Sequence, residues 1–186
     1  NGERQTGTFT INKISEGAIE NAITCAAVCL CLGMTADTLA QRMPALEDVA
    51  MRLEVKAGKH GCTIINDSYN SDVSSLDIAL DFMNLRPDHK GRKRTLILSN
   101  IRQSGLEPEA PYAETSDLAV KRGVEKFIGI GPVISDNANL IDIDEKFFFN
   151  SVSSFLDSTV FRTLRDEVIL IKGARQFGFD QITDQL

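Results

Sequence analysis

GCTIINDSYNSDV, residues 61–73, is the stretch on which the fold turns. Cys62 to Ile65 is a short apolar run rich in β-branched residues, and it breaks off into seven mostly polar residues, 66–72, before a new apolar-periodic segment opens at Val73. An apolar run of strand length without alternation fits a strand covered on both faces, and the periodic segment fits a helix. A buried strand passing through a polar tip into a helix is the opening of a βα unit. Working outward, residues 52–55 and 62–65, joined by the turn-like Ala57-Gly58-Lys59-His60-Gly61, read as a hairpin. Further strands are expected at residues 95–99, 126–130, 146–149 and 168–171. Helices are expected at 74–85, 110–122, 133–138 and 151–164, with a last one near Gln181. Apolar strands alternating with helices imply an α/β fold with a doubly wound, mostly parallel sheet, in which ligands gather beyond the carboxyl ends of the strands.

Residues 14–48 read differently. Residues 18–32 are rich in alanine and leucine, Gly33 suits a C-cap, and Thr35 suits the N-cap of a second helix running through Arg42 before Pro44. Two such helices are expected to pack on the second block or on a domain outside this sequence. The expected division is residues 1–49 and residues 50–186. Cys25, Cys29 and Cys31 lie on the first helix at a spacing that does not converge three thiolates, and no histidine is near, so they read as small core residues in a reducing compartment.

The chain has 186 residues, 42% hydrophobic and 25% charged, with a mean hydropathy of −0.09, the balance of a soluble globular protein. A net charge of −6 argues against a nucleic-acid surface, which needs a clustered basic footprint. No stretch has the length and apolarity of a membrane span, and no basic-then-apolar leader opens the sequence, so a cytoplasmic protein is expected. The basic run His89-Lys90-Gly91-Arg92-Lys93-Arg94 reads as a solvated connection. Asn1 is not a methionine, and residues 1–12 read as the exit of an earlier strand, as in a piece cut from a longer chain.

Two polar strand ends carry the functional signal. In the first, Asp67-Ser68-Tyr69-Asn70 follows the buried run; Ser71 or Asp72 is the expected cap of the next helix, and the stretch reads equally as a structural turn or as a ligand loop. In the second, Val168 to Ile171 runs into Lys172-Gly173-Ala174-Arg175, two cations and a glycine that suit an anion as well as a plain polar loop. The sequence holds no G-x-x-x-x-G-K-[ST], no G-x-G-x-x-G after a strand, no H-E-x-x-H and no G-x-S-x-G, and its two histidines, His60 and His89, fall in expected loops. No self-sufficient catalytic centre and no metal site is expected within these residues.

The segment MRLEV followed by GCTIINDSYNSDVSSLDIAL resembles the start of the C-terminal domain of the Mur ligases. TLILSNIRQSG, ILIKGARQFGFDQI and IENAITCAAVCLCLG resemble three further segments of that family in the same order. The Asp-Ser-Tyr-Asn variant is similar to the branch that adds D-Ala-D-Ala to UDP-MurNAc-tripeptide, and LILSNIRQSG and IKGARQFGFDQI resemble the form fused to an alanine racemase. The resemblance implies a Rossmann-like C-terminal domain preceded by the last helices of a central ATPase domain. It implies an ATP- and Mg-dependent amide ligase acting through an acyl phosphate, with the phosphate-binding loop and metal ligands upstream in the missing central and N-terminal domains. Carried over by position, Asn21, Arg52, Asp67, Ser68, Tyr69 and Asn70 would be nucleotide-proximal, and Lys172, Gly173 and Arg175 would line the dipeptide pocket. The sequence departs from the family where Asp72-Val73 replaces the usual Asn-Pro and where Glu16-Gly17-Ala18 lacks a histidine. An amide ligase with another acceptor, such as a polyglutamate-adding enzyme, and a non-catalytic Rossmann-like binding module are the competing readings.

Overall fold

A computed structural model of the chain describes residues 8–12, 16–46, 50–87, 91–101 and 110–186. Contacts divide it into two compact units, Asn1–Asp48 and Val49–Leu186.

In the first unit, α1 (Glu16–Cys31) and α2 (Ala36–Arg42) are joined through Gly33, whose φ of 92° is open to a residue without a Cβ. Thr35 caps α2 as expected: its side chain accepts from the Thr38 N–H at 3.2 Å. The buried stripe is Ala22, Ala26, Leu39 and Met43. Within this unit Cys25 and Cys31 are exposed and Cys29 is half-buried, so the expected core burial is not made by the unit's own packing. The reason is geometric: Ala22 and Ala26, four residues apart, already fill the face that α1 turns inward within this unit.

The second unit is a six-stranded sheet in the order β1-β2-β6-β3-β4-β5. Its strands are β1 (Glu54–Ala57), β2 (Thr63–Asp67), β3 (Lys93–Ser99), β4 (Lys126–Ile130), β5 (Glu145–Phe149) and β6 (Glu167–Lys172). Only β1 is antiparallel to its neighbour; the other pairings are parallel. The helices between them are α3 (Val73–Leu85), α4 (Ala110–Lys121), α5 (Pro132–Asp136), α6 (Val152–Leu156) and α7 (Thr159–Arg162), and α8 (Asp180–Gln185) follows β6.

The apolar strands bury both faces, as a doubly wound sheet requires. Ile65, Leu96, Leu98, Phe127, Val168 and Leu170 meet α3, α4 and α5 on one side. Their alternates Ile64, Ile97, Ile128, Ile169 and Ile171 meet α6, α7 and α8 on the other. Adjacent residues belong to opposite cores because side chains alternate along a strand.

Two expected elements shift. The first hairpin strand begins at Glu54 and not at residue 52, because Met51 and Leu53 take positive φ values of 60° and 51° and bend the chain before the ladder starts. The single helix expected over 151–164 is two short ones. Ser158 interrupts it: its hydroxyl donates to the Phe155 carbonyl at 2.6 Å and accepts the Phe161 N–H at 3.2 Å, diverting the backbone that a continuous helix would use. Among the described residues, no helix is long and apolar enough to cross a membrane.

Candidate functional site at the ends of β2, β3 and β6

The chain leaves β2 into α3 on one face of the sheet and leaves β6 toward α8 on the other. Neighbouring parallel strands whose connections part to opposite faces open a crevice at their carboxyl ends. β3, on the far side of β6, leads to α4 on the same face as α3, so the β6 end is flanked by such a parting on both sides.

Asp67 and Lys172 are register partners across β2 and β6, and their side chains meet: Lys172 Nζ donates to Asp67 Oδ2 at 2.7 Å. The pair is sealed, with side-chain exposures of 2% for Lys172 and 10% for Asp67. Asp67 Oδ1 accepts the Leu53 N–H at 3.3 Å. Burial pushes the Asp67 carboxyl above its ordinary value, against the pull of Lys172, the Leu53 amide and Arg52.

The loop after β2 is knitted by its own side chains. Ser68 donates from Oγ to Asn66 Oδ1 at 2.6 Å, and Asn66 Nδ2 donates to Glu54 Oε2 at 3.4 Å. Asn70 Nδ2 donates to Asp72 Oδ2 at 2.8 Å, and Asp72 caps α3 by accepting the Ser75 N–H at 2.8 Å. Burial works against the charge on Asp72, but the Ser75 hydroxyl and N–H, with Lys172 and Arg52 nearby, hold its carboxyl below the ordinary aspartate value. Ser71 Oγ is buried without a hydrogen-bond partner. Tyr69 stands 45% exposed with the Arg52 guanidinium 4.2 Å above its ring centroid, a cation–π arrangement.

The exit of β6 is tied to both neighbours. The Arg175 N–H donates to the Tyr69 carbonyl at 3.2 Å, and the Ala174 N–H donates to Ser99 Oγ, at the end of β3, at 3.0 Å. A Cβ on Gly173 would lie 2.6 Å from the Phe179 ring, so this position is open to glycine because the ring packs there. The Arg175 side chain is exposed. Asn100, just past β3, reaches across with its Oδ1 to accept the Ile134 N–H of α5 at 2.9 Å, above a glycine, Gly131, whose Cβ would collide with it.

The fold therefore brings Arg52, Asp67, Ser68, Tyr69, Asn70, Lys172, Gly173 and Arg175 to one end of the sheet. Asn21 lies exposed on α1 in the other unit. Ser99 and Asn100 belong to this strand-end cluster, although their motif alone did not single them out. A polar pair directly after a buried strand was the available signal.

Sequence reading also missed a charged cluster at the opposite, amino end of the sheet. Lys126 Nζ donates to Glu167 Oε1 at 2.5 Å, both side chains being 6% exposed, and the Thr95 hydroxyl donates to the other Glu167 oxygen. The basic run contributes here as well. Arg92 donates to Thr63 Oγ1 at 2.8 Å and to the Glu167 carbonyl at 2.9 Å, and Lys93 pairs with Glu145 at 2.7 Å, so neither is a freely solvated loop charge; His89 and Lys90 lie outside the described residues. Among the described residues no group of three or more His, Cys, Asp or Glu side chains is arranged to hold a metal ion.

No family model matches the chain. It is 22% identical over 168 residues to the UDP-N-acetylmuramoyl-tripeptide–D-alanyl-D-alanine ligase of Escherichia coli, covering 90% of this chain and 36% of that protein. It is 28% identical over 173 residues to the ligase of the same name from Borreliella burgdorferi, with the same coverages of 90% and 36%. The chain thus spans about a third of the length of the curated relatives it matches.

Among solved structures, the UDP-N-acetylmuramoylalanyl-D-glutamyl-2,6-diaminopimelate–D-alanyl-D-alanyl ligase of Acinetobacter baumannii superposes with a TM-score of 0.76 at 18% identity, over 95% of this chain and 38% of that one. The MurF ligase of Thermotoga maritima in complex with ADP gives 0.69 at 16% identity, over 92% and 38%. The folylpolyglutamate synthase of Thermotoga maritima gives 0.64 at 12% identity, over 99% and 42%. The chain has the fold of the Mur ligase C-terminal domain, and its curated relatives by sequence are ligases named for UDP-N-acetylmuramoyl-tripeptide and D-alanyl-D-alanine.

Proposed function

We propose that residues 50–186 are the C-terminal, substrate-positioning domain of an ATP-dependent amide ligase that adds D-Ala-D-Ala to UDP-MurNAc-tripeptide, and that residues 1–49 are the last helices of its central ATPase domain. The observation that carries this is the pair of polar strand ends, Asp67–Asn70 and Lys172–Arg175, joined through Tyr69 at the β2–β6 crevice. Such a site binds and orients but does not by itself cleave ATP, since the sequence has no phosphate-binding loop. In the ligase, ATP converts the tripeptide carboxylate to an acyl phosphate, and attack by the dipeptide amine forms the amide and releases phosphate. Arg52, Ser68, Tyr69 and Asn70 would face the nucleotide, and the Lys172-Gly173-Ala174-Arg175 turn would face the dipeptide.

Preplaced donors and cations favour such a reaction because charge develops on the transferring phosphoryl group and because the amine must be held against the acyl phosphate. Exposed Arg175 and the stacked Arg52 are groups of the required kind at this end of the sheet. The rest of the polypeptide would supply Mg and the phosphate-binding loop, and an alanine racemase would follow in a fused form.

The test is phosphate release by the complete polypeptide given ATP and UDP-MurNAc-tripeptide, with and without D-Ala-D-Ala. Release that depends on the dipeptide, and that falls in kcat/KM on Arg175→Ala, supports the proposal. Release indifferent to the dipeptide from a folded, ATP-binding protein overturns it; release that instead requires glutamate and a folyl-glutamate whose carboxylate is activated would identify the polyglutamate-adding alternative, whose fold is shared.

A further inference from the structure

Both exposed arginines of the site meet one residue, Arg52 through its guanidinium and Arg175 through its backbone N–H. Arg52 lies 4.2 Å over the Tyr69 ring, and the Arg175 N–H donates to the Tyr69 carbonyl at 3.2 Å. Where Tyr69 stands depends on how β2 ends, and its last residue, Asp67, is gripped from two sides by Lys172 Nζ at 2.7 Å and by the Leu53 N–H at 3.3 Å. Leu53 directly follows Arg52 and has a φ of 51°, a left-handed conformation that a leucine keeps only where its surroundings impose it. The Asp67 carboxylate supplies the acceptor that does so. Meanwhile Asp67 and Lys172 pair with each other in a nearly dry position, which leaves little of either side chain exposed to a ligand.

We propose that Asp67 and Lys172 are a positioning pair, acting not on substrate but through the Leu53 amide and Tyr69 to set Arg52 and Arg175 as a two-point receiver for a substrate oxyanion. The nature of that anion, a phosphoryl group of the nucleotide or the carboxylate of the dipeptide, rests on the ligase reading. The positioning itself does not.

Two variants with the same charge and different acceptors separate the role from mere stability. Asp67→Asn with Lys172→Met keeps an amide oxygen for the Leu53 N–H, whereas Asp67→Leu with Lys172→Met removes it. Replacing both members of a buried ion pair avoids stranding a charge, so both chains fold. The readout in this 186-residue chain is the upfield ring-current shift of the Arg52 side-chain protons, identified as the shift that Tyr69→Leu abolishes. The asparagine pair is expected to keep it and the leucine pair to lose most of it. Retention in the leucine pair, or loss in both, overturns the proposal whatever the activity proves to be.

In the complete polypeptide, the leucine pair is expected to raise a KM about 10-fold with a smaller change in kcat, the loss of roughly 1.4 kcal/mol of binding. A rise for D-Ala-D-Ala identifies the carboxylate, and a rise for ATP identifies the phosphoryl group. No rise in either refutes the receiver even where the ring-current result holds.

Discussion

Replacing Gly173 by alanine would set a methyl carbon 2.6 Å from Phe179 Cδ2 and 2.8 Å from Cε2. Neither side can give way cheaply. Gly173 is fixed because the next two residues are pinned by the Ala174 N–H to Ser99 Oγ and the Arg175 N–H to the Tyr69 carbonyl. Phe179 is 1% exposed and packed with Ile182, Leu186 and the rest of the second core. Overpacking of this kind costs about 1–3 kcal/mol. At about 2–4 °C per kcal/mol for a protein of this size, Tm should fall by roughly 2–12 °C. Thermal unfolding followed by far-UV circular dichroism measures it, and the decisive arm adds Phe179→Leu. A smaller side chain destabilises the parent by opening a void but relieves the alanine variant, so a double-mutant cycle should give a favourable coupling of about 1 kcal/mol or more. Equal stability of Gly173→Ala and parent, or a Phe179→Leu effect identical in both backgrounds, would refute the reasoning.

Three further outcomes follow from the same geometry. Lys126→Met leaves Glu167 buried with only the Thr95 hydroxyl, and urea unfolding should show a loss of about 3–5 kcal/mol, most of it recovered by adding Glu167→Leu. Asp72→Ala should cost about 1 kcal/mol at neutral pH through loss of the α3 cap, while Asp72→Asn should cost far less. Because the folded Asp72 carboxyl titrates below its unfolded value, its contribution is present above the unfolded value and disappears as pH falls through the folded one. The Asp72→Asn urea midpoint should therefore vary less with pH in that acid window than the parent's, and an unchanged slope would count against the cap's role. Tyr112→Phe strands the Ile101 N–H that now donates to the tyrosine hydroxyl at 3.2 Å, and a loss of about 1–2 kcal/mol with faster amide exchange at Ile101 is expected.

The α/β alternation was legible because the buried strands carry apolar side chains on both faces, and the connections between them carry helical period and capping residues. Thr35 was identifiable as a cap and the α3 cap was narrowed to Ser71 or Asp72, of which Asp72 makes it, since a cap is made within three residues of chain. The break at Ser158 and the late start of β1 were not. Each depends on a side chain or amide choosing a partner over its helical or strand geometry, at Phe155 in one case and at Asp67 in the other. The exposure of Cys25 and Cys31 within their own unit was not legible for a related reason: composition records an apolar helix but not which face its own unit covers.

At the site, the sequence by itself determined the two polar strand ends, because Asp67–Asn70 and Lys172–Arg175 each directly follow a buried apolar run. Only the tertiary structure decided that β6 inserts between β2 and β3, which makes residues 105 positions apart, Asp67 and Lys172, register partners and turns two exposed-looking charges into one sealed pair. It also decided which cations at these strand ends remain exposed, Arg52 and Arg175, and drew Lys126 and Glu167 together at the far end of the sheet. The physical reason is one of range. Period, caps and turn residues act within a few residues, whereas strand order is set by how each helix closes over the sheet, and no local pattern encodes which distant charge will lie opposite.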